Sequence, residues 1–240
     1  SSAASDVYKR QDQHGTSIIV AAAFLNIERF TKKKLSEMRV VLSGTGAAGS
    51  MVAKMLKKIG VKEINAYNIT GVVDKAKYDS YDFLIKELID QNIFDTPKNH
   101  DNTLASIMKG ADAFVGVSAA NLVTKEMVKS MNKNPIIFAM ANPTPEISYN
   151  DAKEAGAYIV GSGRSDFPNQ INNVLAFPGI FKGALKVRAS KINEEMKLAA
   201  SYAIANIIAD DELSCDYIVP SAFDKRVVPS VMEAVAEAAI

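Results

Sequence analysis

Val40-Val41-Leu42-Ser43-Gly44-Thr45-Gly46-Ala47-Ala48-Gly49 joins a short apolar, β-branched run to three glycines spaced G-x-G-x-x-G. The run reads as a buried strand, and a helical pattern begins inside the glycines. Each glycine has a mechanical job. Gly44 permits the tight turn, Gly46 lets the backbone approach a pyrophosphate, and Gly49 lets the helix pack on the strand. The helix N-terminus then offers unpaired N–H groups and a partial positive charge to phosphates. The stretch therefore predicts a dinucleotide site at Gly44, Thr45, Gly46, Ala47, Ala48 and Gly49.

Outward from this unit, the same alternation repeats. The helix is expected over Ala48–Ile59 with Met51, Met55 and Ile59 on one face, stopped by Gly60. Further strands are expected at Glu63–Asn68, Ala113–Val117, Pro135–Ala141 and Ala157–Gly161. Helical patterns lie between them at Asp79–Gln91 (Phe83, Leu84, Leu88 and Ile89 apolar), Thr103–Lys109, Thr124–Met131 and Tyr149–Ala155. Ser148 and Asp151 fit a capping box for the last of these. An Ala/Ile/Leu-rich helix, Thr16–Phe30, precedes the first strand, and helical patterns over 177–188, 193–209 and 229–239 follow the last. The expected fold class is α/β: Rossmann-like and doubly wound, a mainly parallel sheet with flanking helices and a helical C-terminal extension. No internal repeat or low-complexity linker interrupts the pattern, so one domain is expected.

Composition narrows the function classes. A formal net charge of +1 over 240 residues gives no global field favouring nucleic acid or an anionic membrane. No apolar run approaches the ~20 residues needed to span a bilayer. Ser1–Ser5 carries no signal-peptide h-region, and the single cysteine, Cys215, suits a reducing compartment, so a cytoplasmic location is expected. Two separated histidines, His14 and His100, make no metal cluster.

In an open parallel sheet, ligands gather at the carboxyl ends of the strands. Asn68 ends the second strand, 19 positions after Gly49, where an NAD enzyme usually carries Asp or Glu for the ribose hydroxyls. An amide still hydrogen-bonds them but lacks the charge that repels a 2′-phosphate. The alternative is an Asn serving only its turn, and NAD versus NADP stays open. Ser118 and Asn142 each follow a buried strand on the ligand side, although Asn142 precedes Pro143 and a turn role accounts for it equally well. Asn172 and Asn173 close a run, Gly163–Val174, dense in Arg, Asp, Asn and Gln between apolar elements. Asp12, ahead of His14-Gly15-Thr16, reads as a helix N-cap or as one oxygen ligand of a divalent cation.

These motifs resemble the malic enzyme family, oxidative decarboxylases of malate, in its shorter bacterial form. The resemblance runs through Asp12–Thr16, Gly44–Gly49, Gly116–Ser118, Ala141–Glu146, Gly163–Gln170 and Asn172–Gly179, covering 12–240. It implies that Asp12 is a ligand of Mg²⁺ or Mn²⁺ and that Thr45–Ala48 present backbone N–H groups to the NAD or NADP pyrophosphate. It further implies that Asn142 and Asn173 hydrogen-bond malate or the nicotinamide amide, with Asn172 beside them. The chemistry implied is hydride transfer from C2 of malate to the nicotinamide, then loss of CO₂ to leave pyruvate, with a hard cation at the C2 oxygen. The family's tyrosine acid, lysine base and two further metal carboxylates belong to a preceding domain that this sequence lacks. The chain is thus read as the NAD(P)-binding domain, inactive alone, of a protein that is a dimer or higher homo-oligomer at full length. Residues 1–11 are read as a non-native artefact, because Asp6–Gln11 looks like a translated transposon end and Gln11 replaces a family Asp. Tyr8 and Lys9 are accordingly not taken as the acid and base. The alternatives are a stand-alone, non-catalytic NAD(P)-binding module and a malolactic conversion on the same scaffold.

Overall fold

The strand before the glycine turn, β1 (Arg39–Ser43), is central in a sheet of six. Its companions are β2 (Glu63–Asn68), β3 (Gly71–Val72), β4 (Ala113–Gly116), β5 (Ile136–Ala139) and β6 (Ile159–Ser162). They lie in the order β3-β2-β1-β4-β5-β6, all parallel except β3. The computed structural model describes the backbone of residues 2–239 and the side chains of 13–239. The readings of 1–11 as an artefact and of Asp12 as a metal ligand fall outside the described side chains.

The parallel strands are apolar because both faces are covered. Val40, Val41, Leu42, Phe114, Val115, Ile137, Phe138 and Ile159 are all buried. Strand order reverses between β1 and β4, which places the ligand crevice of an open sheet outside their carboxyl ends. The antiparallel β3 was not anticipated. It is too short to carry a periodic signal, and it forms because Gly71, at φ +109°, turns the chain back while Asn102 Oδ1 accepts the Val72 N–H at 3.0 Å.

Helix α1 (Ser2–Thr31) precedes the sheet and α2 (Ala47–Lys58) follows β1. The buried face of α2 is Gly49, Val52, Ala53, Met55 and Leu56, so the expected Met51–Ile59 stripe is off by about one residue. The next helix, α3 (Phe83–Asp90), starts later than periodicity indicates because Asp82 caps it, accepting the Ile85 N–H at 3.0 Å. Residues 75–80 form a 3₁₀ turn instead, and Phe83 faces outward while Ile85, Leu88 and Ile89 are buried. Thr103, Thr124 and Ser148 each cap the short helices α4 (Leu104–Met108), α5 (Lys125–Lys129) and α6 (Tyr149–Glu154) with a side-chain oxygen.

Packing divides the chain into two compact units, residues 34–168 with the sheet, and residues 1–33 together with 169–240. The second unit holds α1, α7 (Phe177–Lys186), α8 (Glu194–Ala205) and α9 (Val227–Ala238). Two glycines let α7 and α9 approach closely. A Cβ on Gly179 would lie 2.5 Å from Val231 Cβ, and one on Gly183 would lie 2.6 Å from the Met232 carbonyl oxygen. Buried Asn26 donates to the Ile218 carbonyl at 2.9 Å and accepts from Arg29, which also reaches the Ala205 and Ile208 carbonyls.

Candidate functional site

The carboxyl edge of the sheet gathers the glycine turn, Asn68, Ser118 and Asn142. Three glycines there meet three different constraints. Gly44 holds φ +105°, and a Cβ on it would lie 2.9 Å from the Val117 carbonyl oxygen. Gly49 leaves no space at all: a Cβ would lie 1.8 Å from the Gly44 oxygen, so the helix can start this close to the strand only on glycine. Gly46 is the opposite case. A Cβ there would meet nothing within 4 Å, so its bareness serves no internal packing and leaves the approach to the backbone open. Gly46 is also the N-cap of α2, with no side chain capping it, so the first-turn N–H groups are left for solvent or an anion. The turn fits a pyrophosphate.

Asn68 faces the turn. Its Nδ2 donates to Thr45 Oγ1 at 3.0 Å, and its Oδ1 accepts from the Thr70 N–H and hydroxyl at 2.8 and 2.7 Å. The side chain therefore braces the 68–70 turn and the Thr45 hydroxyl together, joining the turn role and the ligand-side position.

Ser118 is committed to the protein more than sequence alone implied. Its hydroxyl lies 2.8 Å from Ser43 Oγ and 3.3 Å from Glu146 Oε1, and its N–H donates to the same Glu146 oxygen at 2.8 Å. Glu146 Oε2 accepts the Ala141 N–H at 3.0 Å. This carboxylate is fully buried, and no sequence reading singled it out as a site residue. Burying a carboxylate is costly unless it is hydrogen-bonded, and here three donors meet it. Gly116 makes room for it, since a Cβ there would lie 2.4 Å from the Glu146 carboxyl carbon. Asn142, next to Ala141, is exposed at the rim.

Asn172 and Asn173 belong to the helical unit. Asn172 Oδ1 accepts the Val174 N–H at 3.0 Å, capping the 3₁₀ turn of residues 173–175, so this side chain has a structural task. Asn173 is held against α1: a Cβ on Gly15 would lie 2.5 Å from Asn173 Cβ and 2.7 Å from the Phe177 ring. Within the polar run, Asn169 is a clamp, donating to the Cys215 carbonyl at 2.9 Å and accepting the Ile218 N–H at 3.0 Å. Exposed Arg164 pairs with Asp166 through two contacts, at 2.9 and 2.8 Å, and its guanidinium holds that carboxyl below the usual range.

Residues 13–240 match the family described as "Malic enzyme, NAD binding domain". The chain belongs to the malic enzyme family. Over 229 residues it is 51% identical to a Bacillus subtilis protein named a bifunctional malic/malolactic enzyme, covering 95% of this chain and 55% of that protein. It is 46% identical to the NAD-dependent malic enzyme of Geobacillus stearothermophilus, covering 95% of this chain and 47% of that protein. The crystal structure of the NAD-dependent malic enzyme of Thermotoga maritima superimposes with a TM-score of 0.86 at 43% identity, over 94% of this chain and 58% of that one. The chain thus spans about half the length of these malic enzymes.

Two cavities flank the sheet of this malic enzyme unit. One of about 190 Å³ opens at the carboxyl ends of β5 and β6, beside Ser162 and Arg164 and the rings of Tyr149 and Phe167, which stack at 4.5 Å. The larger, about 490 Å³, lies at the opposite edge, where Arg39 is already bonded to Asn65 and to the Ile107 and Lys109 carbonyls. The smaller cavity shares the carboxyl edge of the sheet with the glycine turn but is lined by residues of 139–167, not by the turn itself. Among the described residues no group of three or more His, Cys, Asp or Glu side chains could hold a metal ion. Nor is any described helix long and apolar enough to cross a membrane.

Proposed function

We propose that this chain is the cofactor-binding part of an enzyme that oxidatively decarboxylates malate to pyruvate and CO₂ with NAD or NADP. The observation that carries the reading is the glycine turn. Gly44 and Gly49 are forced by packing, whereas Gly46 is free of every internal constraint and faces open space at an uncapped helix N-terminus. A bound dinucleotide supplies the hydride acceptor. The chain's own groups hold it: the first-turn N–H groups of α2 receive the pyrophosphate, and Asn68 stands at the position of the adenosine ribose. Asn142 and Asn173, each from its own unit, are the candidates for hydrogen-bonding malate or the nicotinamide amide. Asn172 is included in the cofactor set, as is Ser118.

The reading further includes Mg²⁺ or Mn²⁺, with Asp12 as its candidate ligand in this chain. It places the acid and base outside 12–240, takes the isolated chain to be inactive, and takes the full-length protein to be a cytoplasmic homo-oligomer. The name of the Bacillus subtilis relative favours one second reading, malolactic conversion, in which malate yields lactate. Product analysis of the full-length protein separates lactate from pyruvate.

Gly46→Ala tests the reading directly. With no atom within 4 Å of the new methyl, the variant folds, losing only the ~1 kcal/mol by which Gly exceeds Ala as an N-cap. Calorimetric titration is expected to show the dinucleotide Kd raised ~10-fold or more, a change of about 1.4 kcal/mol. Wild-type chain that binds neither NAD⁺ nor NADP⁺, or a variant that binds as well as wild type, would overturn the reading.

A further inference from the structure

We propose that Glu146 is a positioning residue that holds the cofactor turn and the asparagine loop in one register. The inference rests on the function proposed above for Gly44–Gly49 and Asn142. The parallel ladder carries each strand just past its end: the Val117 N–H donates to the Ser43 carbonyl at 2.9 Å and the Met140 N–H to the Gly116 carbonyl at 3.0 Å. One residue further, Ser118 and Ala141 direct their N–H groups to the two oxygens of a single carboxylate. Glu146 thus continues the sheet where its own hydrogen bonds stop, one oxygen for each strand.

From that carboxylate, short links run to both halves of the site. On one side, the Ser118 hydroxyl reaches Ser43 Oγ, and Ser43 directly precedes Gly44. On the other, Ala141 directly precedes Asn142. The chain around Glu146 is itself anchored, because its carbonyl accepts the Val123 N–H at 2.9 Å and the Pro145 carbonyl accepts the Asn121 N–H at 3.0 Å. Gly116 provides the space the carboxylate occupies, since any β-carbon there would collide with it. The three contacts recorded for the carboxylate come from neutral N–H and O–H donors. Its geometry is therefore set by directional hydrogen bonds from groups fixed in the backbone and in Ser118.

Two variants of the full-length protein test this, with wild type as the control for the function itself. Glu146→Gln keeps the shape but puts an amide NH₂ where one of the two backbone N–H groups must donate. It is expected to raise both the dinucleotide Kd and the malate KM, each ~10-fold. Ser43→Ala removes only the link to Ser118 and is expected to raise the dinucleotide Kd several-fold with the malate KM unchanged. A merely structural role would lower the thermal midpoint without that split. Unchanged constants in folded Glu146→Gln, or an unchanged dinucleotide Kd in Ser43→Ala, would overturn the proposal, the second holding even if Glu146→Gln fails to fold. Wild type that binds no dinucleotide would instead overturn the proposed function.

Discussion

Asn68 shows how one amide serves two tasks. Its donors and acceptor brace Thr45 and Thr70, yet it occupies the strand end where a carboxylate would discriminate between cofactors. The turn it heads, Asn68-Ile69-Thr70-Gly71, contains no charge of either sign. Such a turn neither repels a 2′-phosphate nor pairs with it, so the wild-type chain is expected to bind NAD⁺ and NADP⁺ within ~10-fold of each other. Asn68→Asp adds a negative charge there and is expected to shift the ratio of the two Kd values by ~10-fold or more toward NAD⁺. Competition titration with both nucleotides measures the ratio, and an unmoved ratio would remove Asn68 from the ribose position. Asn172 and Asn169 are likewise tied down, each side chain of this polar run being hydrogen-bonded to backbone groups of its own unit.

At the scale of elements, α7 and α9 turn a helix-weakening residue into a packing device. Glycine inside an exposed helix is worse than alanine by about 1 kcal/mol, so Gly183→Ala on propensity alone would stabilise the protein. Contact decides the other way. The new methyl carbon would lie 2.6 Å from the Met232 oxygen and 2.8 Å from Val235 Cβ. Overpacking of this kind costs roughly 1–3 kcal/mol, so the net effect expected in chemical denaturation is a loss of stability. A gain would show that the two helices are not held at this separation. The strands and capped helices were legible for the opposite reason: Thr103, Thr124, Ser148 and the apolar strands act through neighbours a few residues away. Helix faces were read less well, because Met51 and Phe83 are as apolar as the residues that are actually buried.

Across the whole molecule, the acid response follows from exposed and part-buried carboxylates with local partners. Asp101 is held below its ordinary value of 3.8 by the Thr103 hydroxyl, Asp151 by Ser148 and then Lys125, and Asp224 by Arg226. Asp166, beside Arg164, behaves the same way. A carboxyl whose folded value is depressed adds stability above its unfolded value and loses it as pH falls through the folded one. The denaturation midpoint is therefore expected to hold steady down to about pH 5 and to fall below about pH 4. Replacing Asp166 and Asp224 by Asn should flatten that acid limb, and an identical limb in the double variant would refute the assignment.

The order of residues alone determined the strand, glycine turn and helix of 40–58, the parallel alternation around it and the family, because each depends on spacing within a few turns of chain. Tertiary structure alone decided what Glu146 does, since its partner Ser118 is 28 residues away and meets it only once β4 and β5 are paired. The same holds for the Gly179 and Gly183 contacts with α9, and for Gly15 against Asn173. A buried carboxylate and a bare glycine look ordinary in a sequence, and their meaning lies in atoms that the fold brings within 3 Å.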